Sequence, residues 1–419
     1  MCQSASTESD GTEGLKLTKP EKLWTFGFVN LLAFDIVYQF GAYMTNTIIS
    51  IYAVALGATY ATAGLLAGLN PGTSMVMRPI TGLIADLFGK KTLLVASSVL
   101  FLLATLGCSF FQSLALLGAC RVVQGISFAL RSVCVVSLAA RVVPAERLGS
   151  GMGWMGLSST LSTAIGPFIA ESVGSALGYQ RSFLTASALL AVGLALAVLF
   201  KNPSSASESV CWASAGNGKP ARTLSKGSFG WSSFFYGKNA VISVLAGLSG
   251  VPQGISVSLI LLAAAQRSIE GAPLFFTFYA FAALVSRPSM GRLADLVGAR
   301  KIVMPLFLIE LMGTTVLAFM SSTGMVMGAA VLLGVGQGAL YSIFQAESVR
   351  GVDPSEAGRA ANTFYIGPDI NMCVSPVVGG ILLGSFGVGA LYAFGCAAVV
   401  LAMGIFAVRE LRKRAKERS

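Results

Sequence analysis

Two aspartates lie within long apolar segments of this sequence, where a carboxyl group could bind and release a proton. Asp35 lies about 11 residues into one segment, near the middle of a membrane-spanning helix, and Asp369 lies at a similar depth in another. An ionised group at the centre of such a helix costs at least about 2.5–3.5 kcal/mol, so it is kept only where protein or water shelters it. Because a carboxyl group held away from water takes up a proton more readily, both aspartates are candidate proton-coupling sites. The alternative for each is a structural role, paired with an arginine or hydrogen-bonded to backbone.

Other polar side chains share apolar segments at helical spacing and could contact a substrate. Asp35 and Gln39, for example, are four residues apart, which puts both on one face of a helix. Arg121 keeps its charge, so it could hold Asp35 or bind a substrate carboxylate. Arg131 fits a site role and a simple extension to the membrane surface equally well. The candidate substrate-binding residues are Asp35, Gln39, Arg121, Gln124, Gln253, Gln337, Tyr341 and Gln345.

A loop motif occurs twice, about 209 residues apart, and each copy joins two apolar segments. Its aspartate precedes a helix start, where the positive end of the helix dipole favours a carboxylate. Its glycine lets helix ends approach closely, and its basic residues suit a membrane surface. The repeat predicts two homologous halves, as in many secondary transporters. The repeated residues are Arg78, Gly82, Asp86, Gly89 and Lys90 in the first copy and Arg287, Gly291, Asp295, Gly298 and Arg300 in the second.

The elements that carry these residues must lie in a membrane. The chain has 419 residues, of which 54% are hydrophobic and 11% charged, with a mean hydropathy of +0.75. A soluble domain carries about 25% charged residues, so this chain has too little polar surface for water. The net charge of +11 does not indicate nucleic acid, because most of the basic residues lie in the two tails and in every second connection. That alternation predicts cytoplasmic termini and an inner or plasma membrane location.

Hydropathy predicts an all-α integral membrane protein with twelve transmembrane helices in two pseudo-symmetric six-helix bundles. We expect a cytoplasmic tail at 1–22 without a cleaved signal peptide, a first bundle at 23–200, a linker at 201–238, a second bundle at 239–408 and a basic tail at 409–419. The predicted spans lie at roughly 24–45, 58–79, 92–112, 115–137, 150–172, 182–200, 239–261, 273–290, 302–320, 324–346, 360–383 and 387–408.

The sequence contains no histidine, and its seven cysteines are scattered singly. It therefore lacks the commonest metal ligand and the usual proton switch near neutral pH, and no metal-binding or disulfide spacing occurs. We expect no metal and no cofactor. No constellation typical of an enzyme is present, so any proton handling must rely on carboxylates.

Several motifs together resemble the major facilitator superfamily. The loop Gly82–Lys91 is similar to that family's loop signature G-x-L-a-D-r-x-G-r-k, and Arg121–Gly125 is similar to its R-x-x-q-G motif. Gly166-Pro167 is similar to its antiporter motif, and Pro144–Gly149 to its P-x-x-R-g loop. The resemblance is to the drug:proton antiporter-like and sugar-efflux-like exporters. One departure is Ala170, which stands where that motif usually has a further glycine.

The resemblance implies that helices 1, 4, 7 and 10 line a central cavity and that the repeated loop residues form a conformational latch. The alternative for the loop is a charge cluster that sets topology alone. It also implies that Glu310, in the ninth span, lies at the periphery, where a structural hydrogen bond is favoured over a transport role.

The sequence therefore predicts a secondary transporter, and it favours proton-coupled efflux of a small organic molecule by alternating access. An uptake symporter or facilitator of the same fold is the alternative, and a non-transporting membrane receptor or scaffold is a remote one. The expected partners are a small organic substrate, protons and membrane lipid, without nucleic acid, and we expect a monomer.

Overall fold

A computed structural model describes residues 24–143, 148–200, 236–350, 352 and 357–418. The predicted N-terminal tail, most of the predicted linker and the loop residues 144–147 lie outside the described residues, so the predicted domain boundaries stay predictions. Within the described residues the chain forms twelve α-helices and one 3₁₀ turn, Gly237–Asn239. The helices are α1 (Phe26–Ala55), α2 (Tyr60–Phe88), α3 (Lys90–Phe110), α4 (Leu114–Val142), α5 (Leu148–Leu177), α6 (Tyr179–Leu199), α7 (Ala240–Ser249), α8 (Val251–Gln266), α9 (Leu274–Val297), α10 (Ala299–Ala318), α11 (Thr323–Val349) and α12 (Ala357–Arg418).

Helix breaks reconcile these helices with the twelve predicted spans. α7 and α8 together form the seventh span, interrupted at Gly250, two residues before Pro252, which has no amide hydrogen to donate. α12 contains the eleventh and twelfth spans, which we call α12a (357–386) and α12b (388–418). They meet at Gly387, whose φ of 78° is readily adopted only by glycine. The predicted all-α fold with two six-helix bundles is confirmed.

Seven segments of the described chain are long and apolar enough to cross a membrane by composition alone. The helices outside this set are α1, α2, α5 and α9. Each of these four contacts the other half, α1 with α8, α2 with α12 and α5 with α9. The four helices outside the set therefore all lie at the interface between the halves.

The buried apolar residues show how the halves meet. We call the side on which α1 begins and α12 ends the terminal side, and the other the opposite side. On the opposite side one apolar cluster includes residues of both halves, such as Ile48 and Tyr52 with Ile255 and Leu259. On the terminal side the cluster around Phe34 belongs to the first half, and the cluster around Phe307 belongs to the second. The structure is therefore closed on the opposite side and divided on the terminal side.

Glycines make the closure between α2 and α12a possible. A Cβ placed on Gly64 would collide with the backbone carbonyl of Pro376, and one placed on Gly380 would collide with that of Tyr60. Small residues let two membrane helices bring their backbones into contact. The opposite side is thus sealed by backbone packing that a larger side chain would prevent.

Candidate functional site

Asp35 of α1 lies in a buried polar cluster inside the first half. Its carboxylate pairs with Arg131 of α4 and accepts a hydrogen bond from the Ser158 hydroxyl of α5. The Arg131 guanidinium also lies over two aromatic rings, 4.7 Å from the centroid of Tyr38 and 5.0 Å from that of Phe128. Such placement favours the cation. The sequence suggested Arg121 as the partner of Asp35, and the structure puts Arg131 there instead.

Arg121 donates hydrogen bonds to neutral acceptors. Its Nε donates to the Leu66 carbonyl of α2 at 3.0 Å, Nη1 to Gln124 Oε1 at 2.8 Å and Nη2 to Asn46 Oδ1 of α1 at 2.7 Å. Gln124 in turn donates to Thr105 of α3 at 3.0 Å. Arg121 and Gln124 are fully enclosed by helix packing and tie α4 to its neighbours. Their predicted role as substrate contacts stays a prediction, and it would require these hydrogen bonds to break.

Asp369 of α12a forms an ion pair with Arg78 of α2, and this pair joins the two halves. Arg78 Nε lies 2.6 Å from Asp369 Oδ2, and Arg78 Nη2 donates to Oδ1 at 3.1 Å. The side chains are 40% and 19% exposed, so the pair borders an open space. The Arg78 guanidinium also lies 6.0 Å from the ring centroid of Tyr365. Arg78, a predicted latch residue, and Asp369, a predicted proton site, are therefore ion-pair partners. The sequence did not predict this pairing.

Arg287 is the counterpart of Arg78 in the repeat, and it reaches from α9 of the second half to α5 of the first. Its Nη1 donates to Thr160 Oγ1 of α5 at 3.3 Å, and its guanidinium lies 5.9 Å from the ring centroid of Tyr341. Among the described residues it pairs with no carboxylate, and its Nε has no acceptor. The 209-residue offset that relates Arg78 to Arg287 also relates Thr160 to Asp369. The repeat therefore contains the same contact between an arginine and the other half twice. The acceptor is the Asp369 carboxylate in one copy and the Thr160 hydroxyl in the other.

Several predicted substrate residues gather near these contacts. Tyr341 of α11 lies within electrostatic range of Arg78, Arg287 and Asp369, and Gln345 donates to the hydroxyl of Tyr365 at 2.8 Å. Together they form a mixed polar and aromatic surface contributed by both halves.

Three other predicted residues lie apart from that cluster. Gln39 and Gln253 are partly exposed, and Gln39 Oε1 has no hydrogen-bond donor within the described chain. Gln337 is buried and accepts a hydrogen bond from the Tyr279 hydroxyl at 2.6 Å. Gln39 and Gln253 thus keep some exposed surface and Gln337 does not, and substrate contact at all three stays a prediction.

The predicted latch is only partly described. Gly89 and Gly298 separate consecutive helices with φ values of 80° and 91°, which explains the glycine in each copy of the motif. Lys90 begins α3, and Arg300 forms an ion pair with Glu410 at 2.7 Å. The side chains at the remaining motif positions, Gly82, Asp86, Gly291 and Asp295, lie outside the described part of the structure. The latch stays a prediction.

The predicted antiporter motif lies where α5 meets α1. A Cβ placed on Gly166 would be 3.3 Å from the Phe40 carbonyl and from Tyr43 Cβ, so α5 packs closely there. Pro167 lies inside α5. The contact accounts for a small residue at Gly166, and a role in antiport stays a prediction.

Comparison with known proteins agrees with this architecture. The sequence model described as Major Facilitator Superfamily matches residues 31–269 and 240–419. The chain is 25% identical over 362 residues to the MFS-type transporter MJ1560 of Methanocaldococcus jannaschii, covering 83% of this chain and 88% of that protein. It is 33% identical over 119 residues to the MFS-type transporter YvkA of Bacillus subtilis, covering 28% of this chain and 27% of YvkA. It is 26% identical over 138 residues to the multi-drug resistance efflux pump PmrA of Streptococcus pneumoniae, covering 33% and 34%.

Solved structures share the fold at low sequence identity. A POT family transporter in complex with a thioalcohol-conjugated peptide superposes with a TM-score of 0.75 at 14% identity, covering 92% of this chain and 96% of that one. The nucleoside transporter NupG superposes with a TM-score of 0.74 at 11% identity, covering 91% and 99%. At these identities the likeness concerns the fold alone.

Proposed function

The chain belongs to the Major Facilitator Superfamily and is a membrane transporter rather than an enzyme, and on that premise we propose that it exports a small organic molecule in exchange for protons. Transport follows alternating access, in which the two halves close on one side while they part on the other. The state described above is the one in which the opposite side is closed.

The Arg78–Asp369 ion pair is the observation that supports proton coupling. It links α2 of the first half to α12a of the second. A proton on the Asp369 carboxylate removes the negative charge that attracts Arg78, so protonation weakens the contact between the halves. Because both side chains are partly exposed, protons and substrate can reach them. Proton binding at Asp369 is thereby coupled to the movement of the two halves.

Asp35 is the second proposed proton site. The energy needed to break its ion pair ranks it below Asp369. Removing one partner of a buried ion pair costs about 3–5 kcal/mol, whereas an exposed pair contributes about 0.2–1 kcal/mol. The Asp35–Arg131 pair is buried, and the Arg78–Asp369 pair is not. We therefore assign the main coupling step to Asp369. Asp35 takes part only if the packing of α1, α4 and α5 loosens during the cycle.

We further propose that the terminal side faces the cytoplasm of an inner or plasma membrane. The substrate then enters between the halves from the cytoplasm and meets Gln39, Gln253, Tyr341 and Gln345. Arg78 and Arg287 add positive charge to this surface, and Asp369 adds one negative charge. The partial match to PmrA, named as a multi-drug resistance efflux pump, supports export over uptake.

A metabolite comparison tests the proposal. Cells with and without the gene are compared for small molecules inside the cell and in the medium, and a strain that produces the D369N protein is included. We expect at least one compound to accumulate in the medium only when the intact protein is present. Accumulation inside the cell would instead establish the uptake symporter or facilitator. The same compound distribution in all three strains would contradict transport of cell metabolites in either direction.

A further inference from the structure

Glu310 of α10 is a fully buried carboxyl group with no partner among the residues that the structure describes. Its exposed fraction is 0%, and neither carboxyl oxygen has a hydrogen-bond donor among the described residues. The sequence favoured a structural hydrogen bond for this residue, and that expectation is wrong. The reason is that α11 presents a glycine here: a Cβ placed on Gly336 would lie 2.9 Å from the Cβ of Glu310. Backbone packing fills the space that a donor side chain would need.

The helices around Glu310 offer no compensating cation in contact with it. α9 presents Tyr279, whose hydroxyl lies within electrostatic range of both Glu310 and Arg287. α12b packs on the following turn of α10, where Gly395 and Cys396 meet Thr314 and Thr315. Within the described residues no lysine or arginine lies within ion-pair distance of the carboxyl group.

An ionised carboxylate in such a place loses its hydration and receives neither a hydrogen bond nor a counter-charge in return. A proton on the carboxyl group removes the charge and with it most of this cost. We propose that Glu310 is a proton-binding site in the second half of the transporter, and that it holds a proton when the opposite side is closed. The site lies between α10 and α11, separate from the Arg78–Asp369 pair.

The proposed proton path runs through Tyr279. Its hydroxyl donates to Gln337 Oε1 at 2.6 Å and lies within electrostatic range of Arg287, which is partly exposed. For release, the Tyr279 hydroxyl must turn away from Gln337 to reach the carboxyl group. It then accepts the Glu310 proton and passes its own proton to water, and a carboxylate remains. The reverse path reloads the site. This site goes beyond the proposed export function, since it does not depend on which compound is carried or in which direction.

Infrared difference spectroscopy tests the proton on Glu310 without a substrate. The full-length protein is reconstituted in lipid nanodiscs at neutral pH, and the spectrum of E310Q is subtracted from that of the unaltered protein. We expect a carbonyl stretch of a neutral carboxylic acid that moves to lower frequency in heavy water. The control is E347Q, because the Glu347 carboxylate pairs with Arg350 at 2.8 Å near the end of α11. Carboxylate bands in place of the carbonyl band in the E310Q difference would overturn the proposal.

Two further measurements cover the stability of the variant and the proton path. A protonated Glu310 resembles glutamine, so E310Q is expected to unfold at the temperature of the unaltered protein, whereas a clear gain in stability would indicate an ionised Glu310 and contradict the proposal. Y279F is expected to keep the carbonyl band and to slow its shift after transfer to heavy water. An unchanged rate in Y279F would overturn the path through Tyr279.

Discussion

Arg287 donates to Thr160 across the two halves, and Arg78 pairs with Asp369 across the same interface in the repeat-related position. The 209-residue offset connects arginine to arginine and threonine to aspartate, and it also connects Pro167 to Pro376. The duplicated fold thus keeps the contact twice but makes only one copy an ion pair. Because only one of the two contacts has a carboxylate, protonation weakens the attraction between α2 and α12a and leaves the contact between α5 and α9 unchanged.

Placing an aspartate at position 160 should make the two contacts alike. T160D is expected to form an ion pair with Arg287 and to stabilise the state closed on the opposite side by about 0.2–1 kcal/mol, the usual range for a partly exposed pair. Transport should slow, because two ion pairs must then part in each cycle. Thermal unfolding in nanodiscs and flux in vesicles measure the two effects. T160N is the control, and an equal change in T160N would contradict the ion-pair explanation.

Replacing Asp369 by asparagine should abolish proton-driven transport while leaving membrane insertion intact. The amide keeps the shape of the side chain but cannot gain or lose the charge that attracts Arg78, and only its oxygen can accept from the guanidinium. The measurement is pH-gradient-driven flux in reconstituted vesicles of the compound that the metabolite comparison identifies. E347Q removes a carboxylate in a surface pair and should transport normally. Undiminished gradient-driven flux in D369N would show that the proton binds elsewhere.

Breaking the buried pair in the first half should cost more than breaking the exposed one. R131M leaves Asp35 buried with only the Ser158 hydroxyl, and we expect a loss of about 3–5 kcal/mol in stability. The double variant D35N/R131M should recover a large part of that loss, since no unpaired charge then remains. Thermal unfolding of the detergent-solubilised proteins measures both. If the two single changes simply add in the double variant, the proposed pairing carries no energy.

The partner of Asp35 shows what sequence reasoning could and could not supply. The family-like motif directed attention to Arg121, yet Asp35 is nine residues from the start of α1 and Arg131 is eleven from the end of α4, both on the terminal side. Arg121 lies ten residues before Arg131 in α4, about 15 Å away along the helix. Counting residues from the terminal-side ends of the antiparallel helices α1 and α4 would have favoured Arg131 as the partner of Asp35. The spans, the repeat and the presence of two aspartates within membrane-spanning segments were predictable because the sequence displays them directly.

Contacts across the halves were harder to predict. The interface between α2 and α12a depends on which faces of distant helices meet, and no local pattern reports that. Arg78 looked like a member of a membrane-surface loop because it begins the repeated motif, yet α2 continues to Phe88 and carries Arg78 about three turns from its end. Helix length, rather than the motif, decides where that guanidinium lies.

Closure on the opposite side depends on the absence of a side chain at Gly64. G64A should prevent α2 from reaching α12a, because its Cβ would overlap the Pro376 carbonyl, which cannot move without bending α12a. The population should shift toward a state open on the opposite side. Cys373 reports this, since its sulfur packs against Gly72 in the same interface. We expect faster modification of Cys373 by a membrane-impermeant thiol reagent added on the opposite side.

The matched control is G328A in α11, where a Cβ would meet nothing within 4 Å. Both changes replace a helical glycine by alanine, so any general effect of helix propensity is the same in the two proteins. C373S in the G64A background identifies the modified thiol. If Cys373 reacts equally fast in G64A, G328A and the unaltered protein, backbone contact at Gly64 does not control closure. A faster reaction only in G64A would show that the seal between α2 and α12a governs access from the opposite side.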